Sequence, residues 1–119
     1  MDLKAISGEL VAGCREGREG ANLTRLYAPG AVSIEAADMG NGREAVGLDA
    51  IRGKHDWWAD AMEVLESEVT GPMLHGDDRF AVIFHMKARE KASGEVREMQ
   101  EVGVYTVADG KITREEFFY

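Results

Sequence analysis

The segment REMQEVGVYTVADGKITREEFFY (Arg97–Tyr119) has the pattern of two β-strands joined by the turn ADGK. Side chains alternate between the two faces of a strand, so Met99, Glu101 and Tyr105 share one face and the residues between them belong to the other. Either face can be the buried one. If it is the first, a carboxylate lies among apolar side chains, and the segment supplies both a wall of the core and a candidate for chemistry.

The ADGK turn decides which side chains of the last strand share the face of Glu101. A two-residue Asp-Gly loop pairs Ala108 with Lys111 and brings to that face Ile112, Arg114, Glu116 and Phe118. A three-residue loop, with Gly110 in the left-handed conformation of a bulge, brings there instead Thr113, Glu115, Phe117 and Tyr119. Hydrophobicity alone does not separate these two registers.

The composition is typical of a compact globular protein, and we expect one domain over residues 1–119. No stretch approaches the ~20 apolar residues of a membrane span, and the first ten residues lack a secretory pattern, so we expect a cytoplasmic protein. The formal net charge of −8 repels phosphate groups, which disfavours nucleic acids and anionic membranes as partners. Cys14, the single cysteine of the sequence, lies on a helical face and is interpreted as a small buried hydrophobe.

The first half of the chain has the apolar spacing of three helices. The first follows Leu3, Ile6, Leu10 and Cys14, and the second is short, with Asn22 as its N-cap and Pro29-Gly30 as its end. A short strand (residues 31–37) and a glycine-rich loop (residues 38–47) come next. The third helix has an inner apolar stripe, and His55 falls in the interval of this stripe between Ile51 and Trp58. The stripe consists of Leu48, Ile51, Trp58, Met62 and Leu65.

From Glu66 onward the hydrophobic period becomes that of β-strands, which we predict over residues 66–74, 79–89, 95–107 and 111–119. Helices followed by consecutive antiparallel strands predict the α+β class. A strongly curved sheet wrapped around a long helix leaves a hollow with one open end.

The order of these elements carries a family resemblance, together with three motifs: LYAPGAVSIEA (residues 26–36), the Trp57-Trp58 helix and EVGVYTVADGKITREEFFY (residues 101–119). From Leu3 to Tyr119 the chain resembles the SnoaL-like proteins of the nuclear transport factor 2-like superfamily. The resemblance implies a cone-shaped α+β barrel of three N-terminal helices packed in a strongly curved, mainly antiparallel sheet, usually in a homodimer. It also implies the three-residue hairpin turn. The superfamily includes ketosteroid isomerases, polyketide cyclases, epoxide hydrolases, dehydratases and uncharacterised members, so the fold alone does not fix a reaction.

Functional residues of the ketosteroid isomerases transfer only in part. Their general base lies eight residues beyond the tyrosine of a Leu-Tyr-Ala signature, and counting from Tyr27 this position is Glu35. Their two oxyanion donors correspond here to Val11 and Gly103, neither of which has a donating side chain. The resemblance therefore implies a base without the usual oxyanion site, and Glu101, one pleat from Gly103, is the candidate for a related role.

Two carboxylates that face one apolar hollow push each other's pKa apart, which can produce one acid and one base. We expect Glu35 as the base, Glu101 as the acid or orienting group and Tyr105 as a hydrogen-bond donor; the alternative for Glu101 is a structural carboxylate bonded by the protein itself. The predicted pocket residues are Trp58, His55, Phe80, Val82, Phe84, Met99, Glu115, Phe117 and Tyr119.

Other motifs point away from cofactors and metals. Gly40 to Ala45 fits the dinucleotide pattern GxGxxA, but no βαβ unit surrounds it, so we interpret it as a flexible loop with Met39 as an apolar lid residue. The three histidines lack metal-ligand spacing, and we predict no metal site. His85 alternates with an apolar face and is expected on an outer dimer surface.

The sequence thus predicts a protein that binds an apolar small molecule with a polar oxygen. If it is an enzyme, it is a cofactor-independent isomerase, cyclase, dehydratase or hydrolase that works by acid/base chemistry. The alternative is a non-catalytic module for ligand binding or dimerisation.

Overall fold

A computed structural model of the protein describes residues 1–38 and 40–119. The described residues form three helices and one six-stranded sheet. The helices are α1 (Leu3–Glu16), α2 (Glu19–Leu26) and α3 (Leu48–Ala61), and the strands are β1 (Tyr27–Ile34), β2 (Glu44–Val46), β3 (Met62–His75), β4 (Arg79–Glu90), β5 (Val96–Ala108) and β6 (Lys111–Phe118).

The sheet is mainly antiparallel, with the strand order β2-β1-β6-β5-β4-β3. The pair β1–β6 is parallel and places the end of β1 beside the middle of β6, where Ser33 is opposite Glu115. One face of the curved sheet packs on the helices, and the core consists of Ile6, Leu10, Val11, Leu23, Leu26, Tyr27, Ala31, Ile51, Val69, Phe80, Val82, Tyr105 and Ile112. The predicted α+β class, with helices packed in a curved sheet, is confirmed.

Three helix boundaries differ from the prediction. The second helix ends at Leu26, and Pro29-Gly30, predicted to end it, lies within β1. The apolar stripe predicts a third helix that reaches Leu65, but α3 ends at Ala61 and the chain continues directly into β3. There Met62 pairs with Glu90, and sheet pairing with β4 outweighs the helical spacing of the apolar residues. Asn22 does not cap α2, because the helix starts at Glu19. Its side chain instead donates to the carbonyl of Glu9 on α1 (3.2 Å).

The β5–β6 hairpin combines features of both expected registers. The loop has two residues, because Ala108 pairs with Lys111 while Asp109 (φ 53°) and Gly110 (φ 73°) are both left-handed. The three-residue turn implied by the resemblance is therefore wrong. A bulge on β6 at Thr113 then shifts the register by one residue.

Because of this bulge, the inner face of β6 after Ile112 continues with Glu115, opposite Tyr105, and Phe117, opposite Gly103. These two residues are the ones that the three-residue turn would have brought inward. Thr113, also expected to face the hollow, is the bulge residue, and its hydroxyl donates to the carbonyl of Thr106 (3.3 Å).

In the described part of the chain, no helix is both long and apolar enough to cross a membrane.

Candidate functional site

A wide hollow lies between α3 and the inner face of the sheet and is partly open to solvent. Its volume of about 2040 Å³ exceeds the ~300–1,000 Å³ of typical ligand pockets. Because it opens to solvent, it is a cleft rather than a closed cavity. Charged side chains reach it from the end of β1, from α3, from β5 and from β6. Its apolar lining includes Trp58, Phe84, Met99, Tyr105 and Phe117.

Glu101 lies on the inner face of β5, opposite Phe84 of β4, and lines the hollow. No hydrogen bond contributes to its pKa, and it has no ion pair with any residue in the described ranges 1–38 and 40–119. Every fully buried side-chain oxygen of these residues has a hydrogen-bond partner. The Glu101 oxygens have none, so they are not fully buried and face the open space of the hollow. Burial raises the pKa of Glu101 to about 7; the negative charge of Glu35 adds to the rise, and Lys54 opposes it.

Lys54 is the central cation of the site. Its Nζ is 2.7 Å from Glu35 Oε1 and donates to Ser33 Oγ at 2.7 Å. The ammonium also lies 5.5 Å from the centre of the Phe117 ring, within the range of a cation–π contact. Its positive charge reaches the carboxyl groups of both Glu101 and Glu115, whose pKa values it lowers.

The apolar spacing of the third helix pointed to His55, and its neighbour Lys54 was not predicted to face the hollow. A helical stripe that contains Ile51 and Trp58 has room for either residue, since Lys54 follows Ile51 by three positions and His55 follows it by four. The structure places Lys54 inward, with 28% of its side chain exposed, and leaves His55 exposed at the rim of the hollow. The spacing of Lys54 from Ile51 was the available signal.

Both carboxylate oxygens of Glu35, the predicted base, have partners in the protein. Oε1 pairs with Lys54, and Oε2 accepts a hydrogen bond from the Tyr119 hydroxyl (3.0 Å). The backbone of Glu35 is fixed as well, because its carbonyl accepts from Arg43 Nε (3.0 Å). Glu35 lines the hollow as an anchored anion, whereas Glu101 has free bonding capacity.

Glu115 is the most deeply buried carboxyl group of the site, with only 3% of the residue exposed. Burial raises its pKa to about 7, while the charge of Lys54 and hydrogen bonds from Tyr27 and Ser33 lower it. The Tyr27 hydroxyl donates to Glu115 Oε2 at 3.3 Å. Near neutral pH, two carboxyl groups of the hollow, Glu101 and Glu115, are therefore both close to the midpoint of their titration.

Tyr105 forms the floor between the core and the hollow. Its ring stacks on Phe80 at 4.8 Å and meets the edge of Phe117 at 6.3 Å. Burial raises the pKa of Tyr105, so its phenol stays protonated and can donate a hydrogen bond. Gly103 gives these rings room, since a Cβ there would lie 3.0 Å from Tyr105 and 3.1 Å from Phe84.

The remaining predicted residues lie in different places. Trp58, Met99, Phe117 and Tyr119 line the hollow together with Phe84. Phe80 and Val82, expected in its wall, are instead fully buried in the core beneath it. His85 is exposed on the outer face of the sheet, between Glu68 of β3 and Gln100 of β5. Met39, the expected lid residue, lies outside the described residues.

Cys14 lines the hollow from α1, and burial raises the pKa of its thiol to about 12. A thiol with this pKa carries almost no thiolate at neutral pH, so Cys14 is unsuited to nucleophilic chemistry. Within residues 1–38 and 40–119, no three His, Cys, Asp or Glu side chains are grouped as metal ligands would be.

Comparisons with known proteins agree with this architecture. The family model of the SnoaL-like domain matches residues 14–119. A crystal structure from Mesorhizobium loti, described provisionally as a SnoaL-like polyketide cyclase, has 35% sequence identity and a TM-score of 0.92, with 100% of each chain covered. No curated protein matches the chain.

Two more distant structures contain ligands. A Mycobacterium tuberculosis protein in complex with estradiol-17beta-hemisuccinate has 17% identity and a TM-score of 0.76, covering 100% of this chain and 95% of its own. TerC, co-crystallised with polyporic acid, has 21% identity and a TM-score of 0.71, covering 92% of this chain and 84% of its own. At these identities the likeness shows the fold alone.

Proposed function

The chain belongs to the SnoaL-like domain family, and from that premise we propose that its hollow binds a small molecule with an apolar body and a polar oxygen. We further propose that Glu101 exchanges a proton with this molecule. The observation that carries the proposal is a carboxyl group in an aromatic-lined cleft without a protein partner among the described residues. A group that is bonded from all sides would have no such role.

The titration of Glu101 suits acid/base catalysis. With a pKa of about 7, both its protonated and its ionised forms are present near neutral pH, so one group can donate and accept protons. The bonded oxygens of Glu35 favour Glu101, rather than Glu35, as the group that moves the proton. Tyr105 is the proposed hydrogen-bond donor to the substrate oxygen. The proposed reactions are proton transfer next to a carbonyl, cyclisation or dehydration, all without a cofactor.

The ligands in the two distant structures support the proposal that this fold can hold ring systems bearing oxygen. One is crystallised with estradiol-17beta-hemisuccinate and the other with polyporic acid. What those proteins bind does not identify the ligand of this chain. It guides the choice of a screening set: steroid and naphthalene ketones, quinones and aromatic acids.

The test is a thermal-shift screen of that set, followed by product analysis for each ligand that stabilises the protein. Glu101→Gln should retain the fold and abolish turnover, because an amide cannot exchange the proton. Glu98→Gln, a change on the exposed face of the same strand, is the matched control and should leave turnover unaltered. Full turnover by Glu101→Gln would reject the catalytic role, and binding without any product would favour the non-catalytic module.

We also propose that the protein forms a homodimer through the outer face of the sheet. On this face Val102 of β5 lies between its paired residues, Ile83 of β4 and Phe118 of β6, and Phe118 is 52% exposed. Ile83 and Val102 are half-buried, and an apolar cluster that reaches the surface in this way commonly marks an interaction surface. Sedimentation equilibrium should give twice the chain mass for the wild type and the single chain mass for Phe118→Glu; a monomeric wild type would exclude the dimer.

A further inference from the structure

The Lys54 ammonium has hydrogen-bonding capacity left over. An ammonium has three N–H donors, and the described residues supply two oxygen partners, Glu35 Oε1 and Ser33 Oγ, each at 2.7 Å. The side chain is partly exposed and lines the hollow, so the remaining donor is available to a ligand. Glu35 and Ser33 hold the ammonium from the side of β1, while Phe117 fixes it from β6.

Glu101 is the second polar group with unused capacity in the same hollow. When protonated, its carboxyl group has one O–H donor that no described residue accepts. The two groups differ in kind, because Lys54 is an ammonium held in place by Glu35 and Ser33, whereas Glu101 is a carboxyl group without such partners. A carboxylate has two oxygens and can accept one hydrogen bond from each of two such donors.

We propose that the hollow binds an organic anion, with an aromatic body and a carboxylate-type group held between the Lys54 ammonium and the protonated Glu101 carboxyl. This inference rests on the proposed function and specifies the ligand class of that site. The aromatic body would lie against Trp58, Phe84 and Phe117, which line the same cleft. Besides Glu101, the charged or ionisable residues that line this cleft are Cys14, Arg15, Glu19, Tyr27, Glu35, Arg43, Glu44, Arg52, Lys54, His55, Asp56, Asp60, Glu90, Lys91, Arg97, Tyr105, Glu115 and Tyr119.

Binding of an anion must be linked to protonation of Glu101. The pKa of Glu101 is about 7 in the free protein, so at about pH 8 this group is largely ionised and repels an incoming carboxylate. The bound anion raises the pKa of Glu101 further, because it disfavours a second negative charge nearby. Binding at about pH 8 should therefore take up close to one proton, and affinity should rise as the pH falls from about 8 to about 6.

The experiment compares three naphthalene probes of similar shape: 2-naphthoate, the neutral ketone 2-acetylnaphthalene and the cation of 2-naphthylmethylamine. Isothermal titration calorimetry at about pH 8, in buffers of different ionisation enthalpy, measures affinity and proton uptake together. For 2-naphthoate we expect clear proton uptake with the wild type and much less with Glu101→Gln, in which Glu115, the other carboxyl group of the hollow with a pKa of about 7, can still take up a proton.

Substitutions at the lysine test the other half of the site. Lys54→Met should weaken 2-naphthoate binding roughly 10- to 100-fold, the loss expected for a hydrogen bond to a charged group, whereas Lys54→Arg should retain most of it. Lys4→Met removes the same charge from the exposed face of α1 and should leave the affinity unaltered. Circular dichroism of each variant checks that the fold is retained.

The outcomes separate this inference from the proposed function. Binding of the ketone without the naphthoate, or naphthoate binding without proton uptake, overturns the anion site and leaves the proposed function standing. Preference for the amine cation also overturns it, because the carboxylates would then be the recognising groups. Failure of all three probes and of the wider ligand screen overturns both.

Discussion

Replacing Glu115 by Gln should stabilise the protein above neutral pH. Glu115 is buried, and its pKa rises from 4.5 to about 7 on folding, so the folded state holds its proton more tightly than the unfolded state. Between these two pH values the native state binds more protons. Its stability must therefore fall as the pH rises, until the group is ionised in both states. Glutamine has nearly the same shape, keeps an oxygen for the Tyr27 hydroxyl and removes the buried charge.

The magnitude follows from the pKa. At about 1.4 kcal/mol per pH unit, the rise from 4.5 to about 7 corresponds to roughly 3 kcal/mol at about pH 8. At about pH 5 the same calculation leaves less than roughly 1 kcal/mol, because the carboxyl group is then almost fully protonated in the native state. For a chain of this size, roughly 3 kcal/mol corresponds to a Tm increase on the order of 10 °C.

Urea denaturation at about pH 5 and about pH 8 measures this difference directly. We expect Glu115→Gln to exceed the wild type clearly at the higher pH and to approach it at the lower one. Glu98→Gln, an exposed carboxylate on β5, controls for the change in net charge and should show no such pH dependence. If Glu115→Gln is equally stable or less stable at about pH 8, then Lys54, Tyr27 and Ser33 stabilise the ionised form more than burial opposes it, and the argument fails.

Two further predictions concern the packing of α1. Gly13→Ala should destabilise the protein by roughly 1–3 kcal/mol, because the added Cβ would collide with the Asn22 amide that joins α1 to α2. Gly8→Ala, on the open face of the same helix, should instead stabilise it by roughly 0.5–1 kcal/mol. Equal effects of the two substitutions in urea denaturation would disprove the close contact at Gly13. Burial raises the pKa of the Cys14 thiol to about 12, so at about pH 8 it should react with iodoacetamide far more slowly in the folded than in the urea-unfolded protein. Mass spectrometry measures both rates, and similar values would contradict the burial of this thiol.

Local pattern was sufficient for the architecture and for the position of Glu101. The change from helical to strand periodicity predicted the α+β class, and alternation along β5 put Glu101 on the face of Tyr105. Both are properties of neighbouring residues, because an extended chain orients its side chains by geometry alone. The end of α3 was not predictable in this way, since Met62 leaves the helix to pair with Glu90, far along the chain.

Glu115 faces inward although the three-residue turn that the resemblance implied is wrong. Sequence pattern allowed either a two-residue loop or a longer one, and the protein uses the short loop followed by a bulge at Thr113. The bulge depends on how β6 pairs with β1 and β5 together. Parallel pairing of Ser33 with Glu115 fixes the strand from the other side, and no local signal encodes it.

The sequence by itself determined the class of fold and the presence of an acidic side chain on the face of β5 that it shares with Tyr105, because both follow from the spacing of residues within one element. Only the tertiary structure decided which cation faces that carboxyl group and which carboxylates are already bonded. Lys54 and His55 occupy adjacent positions on one helix, and the rotation of α3 against β1 selects Lys54. That rotation is set by packing between distant segments, so it also decides that Glu35 is bonded and that Glu101 remains free to bind a ligand.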